Sequence, residues 1–161
     1  MRGTVFGVLL LTVSVAAQAP VRPVPDAISW ATAFGNPAIG VVQALRSDAP
    51  VCRLGQLGIS GGITMTAGLL GQHFIKSPRP CVGSPGCDGN GGPSLHSAWG
   101  VLGISRGVHS ALGLTFSVSM AVGTASGRVD ANRHTKTQAA LGLALGGLSE
   151  LAGRTLLRCR S

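Results

Sequence analysis

The sequence contains no tyrosine and only two tryptophans and four phenylalanines, so rings can neither fill its interior nor build a stacking platform for bases. Charge is scarce as well. Asp, Glu, Lys and Arg together make up 11% of the chain, well below the usual share of about 25%. A hydrophobic content of 45% excludes a disordered chain, which would be polar and charge-rich. Acidic residues are the rarest of all: five, against thirteen Lys and Arg, for a net charge of +8. That imbalance points to an anionic partner. The basic residues are scattered rather than striped, which argues against nucleic acid, so small phosphates or anionic lipid headgroups fit better. No Cys-x-x-Cys is present and no His sits near a Cys, which argues against a structural zinc site.

What is present fits one domain of 161 residues. Arg2, an apolar run over 4–16 and Ala17-Gln18-Ala19 before Pro20 read as an export signal. The expected organisation is therefore a leader over 1–19 and a helical domain over 20–161. An uncleaved anchor is the competing reading, although the run is short for a bilayer. Export places the protein in a periplasmic or extracellular space and permits disulfides. Cys81 and Cys87 enclose a short Pro/Gly-rich loop and pair most readily, which leaves Cys52 for Cys159.

The apolar segments predict an all-α fold, a compact helical bundle with its active site at loop–helix junctions. Residues 27–45 carry no charge but are interrupted by Gly35-Asn36-Pro37, which predicts two short helices or one broken one. Residues 54–75 predict a buried helix ending before Pro78. Residues 77–93 form a Pro/Gly-rich loop, and a helix is expected from Pro93 through Leu102. A further apolar segment covers 111–125, and a last helix is expected over 132–157. The uncharged runs are long enough to span a bilayer, yet they are rich in Gly, Ser and Thr and lack aromatic belts. Soluble, peripheral and membrane-associated arrangements all stay open, and nothing indicates the oligomeric state.

Three clusters at loop–helix junctions carry the chemistry: Lys76-Ser-Pro-Arg79-Pro80, Pro93-Ser94-Leu95-His96, and Arg128-x5-His134 followed by Gln138. Phosphate chemistry needs these group types. Arg forks bind non-bridging oxygens, and N–H groups at a helix start add donors. A neutral imidazole can attack phosphorus, and a second His can protonate the leaving oxygen. Gln138, four residues after His134, lies on the same helix face and can hold the imidazole's other nitrogen.

The three ordered motifs resemble the type 2 phosphatidic acid phosphatase superfamily, which also contains bacterial acid phosphatases, dolichyl diphosphatases and vanadium haloperoxidases. Its pattern is Lys-x6-Arg-Pro, Pro-Ser-Gly-His and Arg-x5-His-x3-Asp. Here Gln72 stands at the Lys position, Leu95 at the Gly, and Gln138 at the Asp. The run His134-Thr-Lys-Thr-Gln138 looks like the dolichyl-diphosphatase branch. The resemblance implies a metal-independent phosphatase without a cofactor, acting on a phosphorylated small molecule, isoprenoid or lipid. It makes His134 the nucleophile that forms a phosphohistidine, and His96 the general acid. Gln138 becomes the residue orienting His134, and Arg79, Arg128, Ser94, Leu95 and Lys76 become phosphate ligands. Gln72 and Gln138 also admit a weakened relative that binds phosphate or a lipid headgroup without turnover. The uncharged runs admit a small structural membrane protein. His73 and His109 read as structural, and Asp88-Gly-Asn90 as a turn without the later Glu of a calcium loop.

Overall fold

A computed structural model describes residues 19–85, 87, 89–104 and 111–159. Residues 1–18 of the expected leader, Asp88 and His109 lie outside them. The all-helical expectation holds. Helix α1 spans Pro23–Leu45, α2 Pro50–Phe74, α3 Leu95–Trp99, α4 Ala111–Asp130 and α5 Lys136–Leu156. One two-residue parallel pair, β1 (Ala19–Pro20) with β2 (Cys81–Val82), ties the start of the described chain to the loop after α2.

Helix α1 is continuous, against the expected break. Pro37 removes one backbone donor, but Asn36 beside it is buried and donates from Nδ2 to Gly100 O at 2.6 Å and Ser117 O at 2.8 Å. Those bonds fasten α1 to the α3 end and to α4, and hold the helix through its proline. Helix α5 begins at Lys136, later than expected, because Asn132 adopts φ +60 and Thr135 caps the helix. Helix α3 begins one residue after its cap, Ser94, whose Oγ accepts from Ser97 N at 3.3 Å.

The interior consists of small residues. Ala33, Ala44, Ala98, Ala121 and Ala139 are buried together with Ser60, Thr64, Ser97 and Thr124. Helices approach closely enough that a Cβ at Gly142 or Gly146 on α5 would run into the carbonyls of Ser94 and Ala98, and one at Gly153 into Ser60. The helix over 54–75 is therefore only half buried, with Met65, Leu69 and Leu70 turned outward.

The two ends of the bundle are fastened separately. At one end Arg22 N bonds Ala131 O at 3.2 Å and Asn132 Nδ2 bonds Pro20 O at 2.8 Å. At the other, the Cys52–Cys159 disulfide (Cα–Cα 5.8 Å) and Gln56 Nε2 to Leu157 O at 2.6 Å join the start of α2 to the end of α5. Cys81–Cys87 is the second bridge. Two disulfides accord with an oxidising, exported setting. No helix among the described residues is long and apolar enough to cross a membrane.

Candidate phosphate site

The end where α1 and α5 begin and α4 finishes gathers most of the motif residues. Arg128 closes α4 and is buried. His134 lies on the turn before α5 and is 3% exposed. His96 sits in the first turn of α3, and Arg79 on the loop after α2. Arg133 N and His134 N both donate to Arg128 O, at 3.0 and 3.2 Å, which sets His134 against the end of α4. Burial, then Arg128 and Arg79, push His134 down to about 3, with His96 adding to the depression and the Gln138 bond opposing it. Burial, then Arg128, push His96 down to about 4, with Asp26 opposing and Arg79 and Arg133 contributing. Both imidazoles are therefore neutral at neutral pH.

Gln138 determines which nitrogen of His134 carries the proton. Its Oε1 accepts from Thr135 N at 3.0 Å, half of a capping box completed by Gln138 N to Thr135 Oγ1 at 3.2 Å. Its Nε2 faces three oxygens: Ser77 Oγ at 2.9 Å, Pro78 O at 3.1 Å and Ser77 O at 3.4 Å. The amide has one orientation that satisfies this network. His134 Nδ1, 3.3 Å from Oε1, must then be the protonated nitrogen, leaving the Nε2 lone pair available.

Sequence reasoning missed Asp26, in the first turn of α1. Its Oδ1 takes Arg128 Nη1 in a short ion pair, and its Oδ2 takes Arg133 Nη2 at 3.0 Å and Nε at 3.2 Å. Two guanidiniums, those of Arg128 and Arg133, thus hold one carboxylate, and with Arg79 near enough to bear on Arg128 the site keeps an excess of positive charge. No spacing rule links position 26 to 128, so only the fold reveals it. Trp30 was also missed. Its ring meets His96 edge-on at 3.9 Å between centroids.

Two buried nitrogens at the site, His96 Nε2 and Arg128 Nε, have no hydrogen-bond partner among the described residues. Orphaned polar atoms of this kind are rare in folded proteins.

Arg79 is carried on a strap that is fastened repeatedly. Pro78 pairs with Asn90 across it, Cys81–Cys87 closes it, and Arg133 Nη1 donates to Pro85 O at 2.7 Å. Gln72 serves the strap as well. Its Nε2 reaches Pro93 O at 3.4 Å, and its Cα lies where a Cβ on Gly92 (φ +27) would fall, at 2.6 Å. Lys76 is exposed and is not among the charges that bear on either histidine, so the structure does not bring it in. The Leu95 side chain packs onto Gly68 of α2, away from the histidines. Ser94 is fully buried, and its backbone N donates to Gln138 O at 2.9 Å, so it locks α3 to α5. Its hydroxyl caps α3. His73 is exposed beside Phe74 at the end of α2. Among the described residues no group of three or more His, Cys, Asp or Glu could hold a metal ion.

No protein-family model, no curated protein and no solved structure matches this chain.

Proposed function

We propose that this protein hydrolyses a phosphate ester or anhydride through a phosphohistidine on His134, as its resemblance to the type 2 phosphatidic acid phosphatase superfamily implies. The observation that carries the reading is the pair of orphaned nitrogens, His96 Nε2 and Arg128 Nε, beside a neutral His134 whose Nε2 lone pair is left unprotonated by the Gln138 bond. A phosphoryl group bound there would satisfy Arg128 Nε and meet the Arg79 fork. The sequence of events follows from the atoms. His134 Nε2 attacks phosphorus, the P–O bond to the leaving group breaks, and His96, in the protonated form that acid pH favours, gives that oxygen a proton. Water then attacks the phosphohistidine, His96 accepts its proton, and inorganic phosphate and free His134 are restored. The charge excess from three guanidiniums stabilises the oxygens in both steps.

The test is phosphate release from an aryl phosphate and from an isoprenyl diphosphate, with His134→Ala beside the natural chain. Release that falls by a factor on the order of 10³ or more in the variant supports the reading. Equal release in both removes it. A second reading, binding without turnover, is favoured by Gln138, which cannot stabilise an imidazolium as a carboxylate does. It requires saturable phosphate or vanadate binding that is lost in Arg128→Ala, with no release.

A further inference from the structure

The large side chains of this protein are on its outside. Phe34 and Val42 on α1, Leu69 on α2, Phe116 and Val122 on α4, and Leu148 on α5 are 45 to 67% exposed, while the interior is alanine, glycine, serine and threonine. Burial of such small groups contributes little hydrophobic stabilisation. Exposed apolar surface on this scale marks a contact with something else.

Charge is distributed to match. Arg22, Asp26, Lys76, Arg79, Arg128, Asp130, Arg133 and Lys136 lie at the site end, and Arg46, Asp48, Arg53, the buried Glu150, Arg154 and Arg158 toward the end closed by Cys52–Cys159. Between them, residues 27–45, 54–75, 111–127 and 137–149 contain no Asp, Glu, Lys or Arg. The 19 residues of 27–45 rise about 28 Å as helix, close to the roughly 30 Å of a bilayer's hydrocarbon layer.

We infer that this uncharged girdle is seated in the hydrocarbon of a lipid bilayer, with the two charged ends at its surfaces. Each helix taken alone lacks the mean hydropathy of a span because its inward face is Gly, Ser, Thr, Asn and Gln. Lipid meets only the outward face. Contact through small residues is how helices associate in lipid, where large apolar groups gain nothing by turning inward. The girdle's backbone is helical, so its polar groups bond within each segment. Two features favour lipid over a protein partner. The apolar surface is carried by four helices rather than one patch, and each end carries more basic than acidic groups, which suits anionic headgroups. Open apolar hollows of about 460 and 500 Å³ lie along α2 inside the girdle. Trp30, half-exposed in the second turn of α1, then marks the headgroup boundary and brings the candidate site to that level.

The inference rests on exposure and charge, not on catalysis. The test uses the full chain in cell membranes washed with alkaline carbonate, and then in vesicles with acyl chains brominated near the headgroup. The chain is expected to stay with the washed membranes and to need detergent for release. With Trp99→Phe, Trp30 is the sole tryptophan, and its fluorescence is expected to be quenched by the brominated lipid. Phe34→Lys with Val122→Lys, both at exposed positions, is expected to lower membrane retention several-fold, while Val51→Lys, 84% exposed at the charged end, leaves it unchanged. Recovery without detergent, as a monomer or as an oligomer that covers the girdle with protein, overturns the inference. Retention through the N-terminal run alone also overturns it, and would appear as unquenched Trp30 and fully retained lysine variants. Phosphate release from a soluble aryl ester by the same preparations reports on the site separately.

Discussion

Gln138 shows how one side chain can serve two ends. As the third residue of α5 it closes a capping box with Thr135, and the same oxygen holds His134 Nδ1 while its nitrogen grips Ser77 and Pro78. An aspartate there would be too short for the strap and would set a carboxylate against carbonyls. Gln138→Ala is expected to destabilise the fold by about 1–3 kcal/mol, because it leaves partly buried groups of Thr135, Ser77 and Pro78 without their bonds, measured by denaturant unfolding. Gln138→Asp is expected to loosen the strap, seen as faster hydrogen exchange at the Ser77 and Arg79 amides, rather than to raise turnover. The histidines add a pH prediction. Their folded values, about 3 for His134 and about 4 for His96, lie below the ordinary 6.5. Between those limits the unfolded chain binds more protons, so their contribution is complete above 6.5 and is lost as pH falls toward 3. Thermal melts should show a midpoint that declines over that window, and more gently in His96→Asn. In turnover, kcat/KM should favour acid pH, because His134 must be neutral and His96 protonated. An alkaline optimum would contradict these roles.

At the scale of elements, close approach through glycine holds α5 in place. Gly146→Ala would drive a Cβ into the Ala98 backbone, whereas Gly147 one residue on has nothing within 4 Å. The first change is expected to destabilise by about 1–3 kcal/mol and the second to be neutral or stabilising by about 0.4–1 kcal/mol, read as melting temperatures side by side. The helices were legible in the sequence as uncharged apolar runs, and the three motifs already placed Arg79, His96, Arg128 and His134 at junctions. Three things were not legible. Pro37 read as a break because the bonds that carry α1 through it come from Gly100 and Ser117, distant in sequence. Residues 54–75 read as buried because hydrophobicity, not size, was the visible signal, and the small residues face inward. Asp26 escaped because its partners lie more than a hundred residues away.

The molecule as a whole is closed at one end by ion pairs and the strap, and at the other by Cys52–Cys159. That bridge spans 107 residues, so its removal in Cys52→Ser with Cys159→Ser should cost about 2–5 kcal/mol, visible as a lower unfolding midpoint. Because the bridge lies at the far end, a phosphate site at the other should keep its affinity below that midpoint. The central claim concerns His134. It is tested most directly by mixing the protein with a phosphate ester, quenching in alkali, where phosphohistidine survives, and mapping the phosphorylated residue by mass spectrometry. The account predicts a phosphoryl group on His134 that disappears in His134→Ala together with phosphate release. Release with no phosphoryl group on His134, or a phosphoryl group on another residue, would contradict it.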